Sequence, residues 1–463
     1  MDRRRPESGR RRGMIRMADL FNFPAFHITG ERGWINDPNG LVKFRGEYHV
    51  FFQYYPGATK WGPMHWGHVK SRDLAHWERL PVALAPDANE DGCFSGSAVE
   101  WKGKLWLLYT GFKENGGGEN VRQLQCLASS EDGVHFTKHG VVIGERELPP
   151  SYCPWDFRDP KLFRRGETFY CVVAARKRGA GGRILLFSSE DLFRWAFVCD
   201  LFGSDGAGFM TECPDYRDDL RLLLYSEQYF PAQGISCRNI HSSFYRFGDL
   251  DPARGFLPAG GAHLIDYGFD FYAAQTFAEE PVLLGWLHMW DRTNPTEAFG
   301  FAGQLTVPRR LSVREGRLWQ TPVWAGREVR REENCSSLRD RFAVGAVRIE
   351  ARALRAFSVK LRKKGEGFAS FALGEGEWVF DRSKAGEPIV GAEKDADSLA
   401  GIRRMPYIPA EETCIEIVGD RFSLEIFVNG MALSSVVCPP ADADGLELEL
   451  DAERCTYRRF AVE

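Results

Sequence analysis

Three acidic residues occupy one recurring place in this chain. Asp37 precedes Pro38, Asp159 precedes Pro160, and Glu212 stands two residues before Pro214. Each leads through a polar turn into a short apolar run: His49-Val50-Phe51-Phe52, Phe169-Tyr170-Cys171-Val172-Val173 and Leu222-Leu223-Leu224-Tyr225. A single carboxylate at a strand start is ordinarily a solvated turn residue. Three at the same repeat position, each in a Pro-containing turn, point to a shared site. Carboxylates that converge without histidine partners suit acid/base or glycosyl chemistry. One must stay ionised, while another holds a proton because the like charge beside it raises its pKa. A divalent cation held by the three acids is the competing reading, although Ca²⁺ usually recruits more oxygen ligands.

Elements that bring such residues together must repeat. The same pattern recurs as Ser95-Gly96-Ser97 before Leu105-Trp106-Leu107-Leu108-Tyr109, and as Tyr272-Ala273-Ala274 before Val282-Leu283-Leu284-Gly285-Trp286. A second motif, a polar turn with an aromatic anchor, begins at Ser71, Ser130 and Ser189, 59 residues apart each time. Together these define five units of about sixty residues, all short strands bounded by Gly, Pro and charge. A four-stranded unit buries its faces only against its neighbours, so the expectation is an all-β chain with a five-bladed β-propeller over 25–325. In such a ring, equivalent positions are related by rotation, and an innermost first strand would aim all three carboxyls at one mouth. From about residue 330 the repeat gives way to alternation, as in Cys414-Ile415-Glu416-Ile417-Val418. A Gly419-Asp420 turn and an Asn429-Gly430 hairpin then predict a C-terminal β-sandwich over 326–463, with little helix anywhere.

Composition narrows the function. The 463 residues are 44% hydrophobic and 27% charged, with net charge −4, so no global field recruits nucleic acid or an anionic membrane. Eleven cysteines without a CxxC or Cys/His cluster argue against a disulfide framework or a zinc site and for a reducing compartment. Residues 1–24 form a basic tail with seven Arg among the first sixteen residues, without the apolar stretch of a signal peptide. No apolar run is long enough to span a bilayer, and the expected location is cytoplasmic.

The blocks Trp34-Ile35-Asn36-Asp37-Pro38-Asn39-Gly40, Phe157-Arg158-Asp159-Pro160 and Glu212-Cys213-Pro214-Asp215 resemble, in order and spacing, the signatures of glycoside hydrolase family 32. Further matches are Met64-His65-Trp66-Gly67-His68, Phe94-Ser95-Gly96-Ser97 and Asp266-Tyr267-Gly268-Phe269-Asp270-Phe271-Tyr272-Ala273. The resemblance implies a retaining β-fructofuranosidase without cofactor or metal. In it Asp37 is the nucleophile, Glu212 the general acid/base and Asp159 the transition-state stabiliser. It also implies a fructose pocket lined by Asn36, Gln53, Trp61, Phe94, Ser95, Arg158, Tyr272 and Trp290. Individual residues keep simpler readings: Trp61 and Tyr272 as packing, Arg158 as an ion pair with Asp159, and His65, His68 and Cys213 as structural. Thr211 departs from the family's usual aromatic residue before Glu-Cys, which bears on the leaving-group side. The implied substrate is a small carbohydrate, sucrose or sucrose 6-phosphate. Alternatives are a short fructo-oligosaccharide hydrolase, a fructosyltransferase, an arabinoside-cleaving propeller and a non-catalytic sugar-binding module. The sandwich offers a surface for a homo-oligomer.

Overall fold

The computed structural model describes residues 23–203, 208–393 and 395–462, so nearly all of the basic tail lies outside it. Five antiparallel sheets follow one another along the chain. They run from Gly33–Phe44 to Glu78–Leu84, Gly92–Trp101 to Thr137–Ile143, Tyr152–Arg165 to Ala196–Gly203, Thr211–Arg217 to His263–Leu264, and Tyr272–Thr276 to Arg317–Pro322. The first strands of successive sheets pack side by side, and the fifth returns against the first. Phe301–Ala302 closes the ring by pairing in parallel with Gly33 and Trp34 of the first sheet.

Burial explains why each sheet reads as it does. The second strands, such as Glu47–Tyr55 and Lys104–Lys113, are buried along nearly their whole length and read as continuous apolar runs. The fourth strands, such as Glu78–Leu84 and Thr137–Ile143, are mostly exposed. The gradient fixes which edge of each sheet faces inward.

Residues from Arg327 onward form two six-stranded sheets. Alternating residues such as Val347, Ile349, Val359, Leu361, Ile415 and Ile417 fill the core between them, where Phe371 stacks on Trp378 at 5.0 Å. Asn429 and Gly430, with φ of 45° and 78°, make the tight hairpin between Ser423–Val428 and Met431–Val436. The turn expected at Gly419-Asp420 falls instead two residues later, at Arg421-Phe422, because Asp420 pairs with Ser423 and ends the strand Glu412–Asp420. Its buried carboxylate accepts the amides of Ala25, Phe26 and His27 from the far end of the chain. Among the described residues helix is confined to three short segments, and no helix is long and apolar enough to cross a membrane.

Buried charge joins the two regions. Asp266 accepts from Arg309 at 3.0 Å and from both the amide and hydroxyl of Ser434, at 2.8 and 2.7 Å. Asp270 accepts from the Val436 amide and from Arg382, each at 2.8 Å. The Asp266–Asp270 segment thus lies along the edge of the sandwich, so close that a Cβ on Gly268 would stand 1.9 Å from the Ser434 carbonyl. Tyr272 follows two residues later. Beside this seam His27 bonds Asp420 at 2.8 Å and Glu425 at 2.9 Å.

Burial alone would push the His27 pKa down, but the two carboxylates outweigh it and hold it up at about 9. Because this lies above the ordinary 6.5, the contribution is full below pH 6.5 and is lost as pH rises towards 9. It amounts to about 3 kcal/mol. Thermal unfolding should therefore fall in temperature between pH 6.5 and 9 more steeply for the native protein than for His27→Gln. Parallel profiles would remove His27 from the coupling.

Candidate active site

The first strand of every sheet carries one more residue than its partner over the same stretch. The extra residue lies between Ile35 and Pro38, Phe94 and Gly96, Arg158 and Lys161, Glu212 and Asp215, and Tyr272 and Gln275. A bulge at this place turns a side chain out of the pleat and towards the ring's centre. Asp159, Cys213 and Ala273 take left-handed backbone there, with φ of 65°, 47° and 54°. Such strain persists only where the surroundings over-determine it.

The redirected side chains meet. Cys213 donates its amide to Asp159 Oδ2 at 3.0 Å, and its sulfur lies 3.6 Å from both Asp159 Oδ2 and Asp37 Oδ2. Ser95 donates to Asp37 Oδ2 at 2.7 Å, and Asn36 donates to Oδ1 at 3.1 Å. Trp34 fixes the Asn36 amide through a 2.9 Å bond to its oxygen. Glu212 accepts from Arg158 Nε and Nη2 at 3.0 and 2.8 Å, and from the Tyr272 hydroxyl at 2.6 Å. Below the bulges Asp215, Gln275 and Thr276 are completely buried, whereas Trp61, Phe209 and Tyr229 around the other end are about half exposed. The site therefore opens towards the N-terminal ends of the first strands.

Of the pocket residues expected from sequence, Asn36 and Ser95 touch Asp37, while Arg158 and Tyr272 touch Glu212. Gln53 is buried and bonds the Cys93 carbonyl at 3.0 Å, one step behind Ser95. Phe94 stacks on Phe112 at 4.6 Å and meets Trp61 edge-on at 6.0 Å. Trp290 sits against Trp286 and Trp34 at 5.1 and 5.8 Å. These three aromatics form walls and none contacts a carboxyl. Arg158 does not make the expected ion pair with Asp159; it pairs with Glu212 and Asp156. His68 is structural, bonded to His49 at 2.9 Å and stacked on Phe51 at 4.0 Å.

Four residues escaped the sequence reading. Asp156 lies two residues before Arg158, on the same strand face, and accepts from it at 3.1 Å; that period-2 spacing was the available signal. Gln123 accepts from the same guanidinium at 3.1 Å. His241 packs against the Tyr272 ring at 5.4 Å. Cys213, read as structural, occupies the centre of the cluster, and burial followed by the neighbouring carboxylates pushes its thiol far above the usual range.

The carboxyls do not titrate alike. Burial pushes Asp159 up to about 7 and raises Asp37 as well, with the Glu212 charge adding to both. Burial would raise Glu212 too, but Arg158 and the Tyr272 hydroxyl outweigh it and hold it below the usual range. One sink for negative charge and two reluctant acids is an arrangement suited to moving a proton.

Residues 27–322 match the Glycosyl hydrolases family 32 N-terminal domain. The chain belongs to glycoside hydrolase family 32. It is 37% identical to the sucrose-6-phosphate hydrolase of Zymomonas mobilis over 91% of this chain and 88% of the relative. It is 36% identical to the raffinose invertase of Escherichia coli, over 92% and 91%. Among solved structures, the family 32 β-fructofuranosidase of Bombyx mori matches with a TM-score of 0.84 at 30% identity, covering 96% of this chain and 95% of that one. The family 32 match spans all five bulged strands, so its members share the part of the fold that gathers the carboxyls.

A buried aspartate raised to about 7 costs stability wherever it is ionised. Its folded pKa exceeds the ordinary 3.8, so the penalty is absent below pH 4 and complete above 7. Asp159→Asn keeps the amide acceptor and should raise the melting temperature at pH 8 by about 1–3 °C, the gain fading towards pH 4. Calorimetry at both pH values checks this, and a drop at pH 8 would contradict it.

Proposed function

We propose that this family 32 enzyme is a retaining β-fructofuranosidase that hydrolyses sucrose or sucrose 6-phosphate. The observation that carries the reading is the division of labour among the carboxyls. Asp37 is oriented by two neutral donors, Ser95 and Asn36, which leave it free to attack, whereas Glu212 is flanked by groups that can move its proton. The Asp37 carboxylate attacks the anomeric carbon of fructose as the bond to the leaving-group oxygen breaks. Glu212 supplies a proton to that oxygen. Water then attacks the same carbon, gives its proton to Glu212, and displaces Asp37 from the fructosyl ester. Asp159, fixed by the Cys213 amide, holds fructose hydroxyls while positive character develops.

In the free site the charge rests on Glu212 beside Arg158. Fructose hydroxyls that engage Arg158 and Asp159 draw the guanidinium away, and burial then favours the protonated acid. The proton moves within the cluster, which titrates as a unit. In this reading residues 25–325 are a five-bladed β-propeller with its mouth at the bulges, and residues 326–463 are a β-sandwich that braces it. Five sheets with adjacent first strands support the blade count. Eleven free cysteines support action in the reducing cytoplasm. Its partner is a small sugar substrate.

Asp37→Asn should reduce fructose release from sucrose by about a thousandfold or more without loss of fold. Activity near the native level would remove Asp37 as nucleophile. Tyr272→Phe deletes a hydroxyl that favours ionised Glu212, so the acid keeps its proton to higher pH. The basic limb of kcat/KM should move upward by about half a unit to one unit. A downward shift in the pH–rate profile would contradict the assignment.

A further inference from the structure

We propose that Arg178, seated on Trp155, binds the phosphate of a leaving hexose 6-phosphate; the proposal rests on the reading of Glu212 as the acid that faces the leaving group. Trp155 lies three residues before Arg158 on the strand Tyr152–Arg165. Between Tyr152 and Phe157 this strand advances five residues against two on its neighbour, a wide bulge that carries Trp155 beside the strand's catalytic end. The next two strands of that sheet pair Lys177 with Gly181 and with Tyr152, so their hairpin carries Arg178 to the same rim. A Cβ added to Gly182 would stand 2.3 Å from the Thr211 amide. The hairpin therefore lies directly against the segment that ends in Glu212.

Charge singles out one residue there. Arg158 is matched by Asp156 and Glu212, Arg176 by Asp156, and Lys177 by Asp200. Arg178 is exposed and has no ion-pair partner among the described residues; its guanidinium rests 4.6 Å from the centre of the half-buried Trp155 ring. A guanidinium held by an aromatic face, with its donors free, suits a phosphate in two-pronged geometry and offers little to an uncharged sugar. Arg176, two residues earlier, lies 5.0 Å from the Phe209 ring, and Phe209 and Tyr229, 50% and 58% exposed and edge-on with ring centres 6.4 Å apart, add exposed apolar surface for a hexose.

The test measures kcat/KM of the full chain on sucrose and on sucrose 6-phosphate, for the native protein and for Arg178→Ala and Arg178→Lys. The native protein should prefer the phosphorylated sugar. Arg178→Ala should lose about tenfold to fiftyfold on that substrate, through KM, with sucrose within about twofold of native. Arg178→Lys should retain part of the preference as a point charge. Unchanged sucrose activity also reports an intact fold. A phosphorylated-to-plain ratio equal in the native protein and Arg178→Ala, or a native protein without preference, would overturn the phosphate site while leaving the hydrolase intact. Fructose release from neither sugar by the native protein would overturn the proposed reaction, and the site with it.

Discussion

Everything in this molecule depends on keeping three carboxyl groups together and largely out of water. Asp37, Asp159 and Glu212 repel one another, and burial penalises the charge of each. No single sheet could hold them, because each comes from a different one. The opposing force is a second polar layer just beneath the site. Lys161 of the third sheet pairs with Asp215 of the fourth at 3.0 Å and donates to the Thr276 carbonyl of the fifth. Thr276 returns its amide and hydroxyl to Asp215 at 2.6 and 2.8 Å. Ser97 of the second sheet bridges Pro160 and Leu162 of the third, both at 2.8 Å. Asp215 uses Oδ2 for all of these bonds, and its buried Oδ1 has no hydrogen-bond partner among the described residues. The bonds that are made are worth most in a dry interior.

The sandwich extends the same logic. It contributes no carboxyl to the site, yet its edge strand holds Asp266 and Asp270, the residues that lead into Tyr272. Tyr272 in turn sets the hydrogen bonding of Glu212. A second tie runs through the loop before the helix Ala396–Leu399: Arg292 meets Glu393 at 3.0 Å, and Thr293 bonds Val390 at 2.8 Å. That loop therefore braces the residues just after Trp290. The sandwich governs the geometry of the mouth through rigid contacts at two points.

Most of this architecture could be read without coordinates, for a physical reason. The strands repeat because each sheet faces the same environment, so apolar runs and turn residues recur at fixed spacing. The carboxyl positions were legible for that reason alone. What stayed hidden depends on register. The bulges insert a residue without any compositional mark, and only pairing across the sheet shows that Asp159 and Cys213 leave the pleat. Arg158 next to Asp159 suggested an adjacent pair, but the bulge turns Asp159 away, and the guanidinium bonds Asp156 on its own strand and Glu212 of another sheet instead. Asp420 looked like a turn residue because acids favour turns. It is buried because the chain's opening segment, almost four hundred residues away, needs its lone pairs.

The electrostatic order of the free site runs opposite to the order that glycosyl chemistry requires. In the proposed mechanism Glu212 must take up a proton that Arg158 disfavours, and Asp37 must hold a charge that burial disfavours. Were the site rigidly poised for reaction, Asp37 would have to hold its charge in the dry cluster with three neutral donors, Ser95, Asn36 and the Cys213 thiol, to stabilise it. Instead Arg158 neutralises the free state by binding Glu212, and in the proposed mechanism the same guanidinium meets the sugar. Under that mechanism, binding energy from fructose would be used to move the proton to Glu212 as substrate excludes water. A residue that merely stabilised the fold would not need to contact Glu212, Asp156 and Gln123 at once. Arg158 holds all three partners together, and the proposed mechanism asks sugar hydroxyls to compete with them.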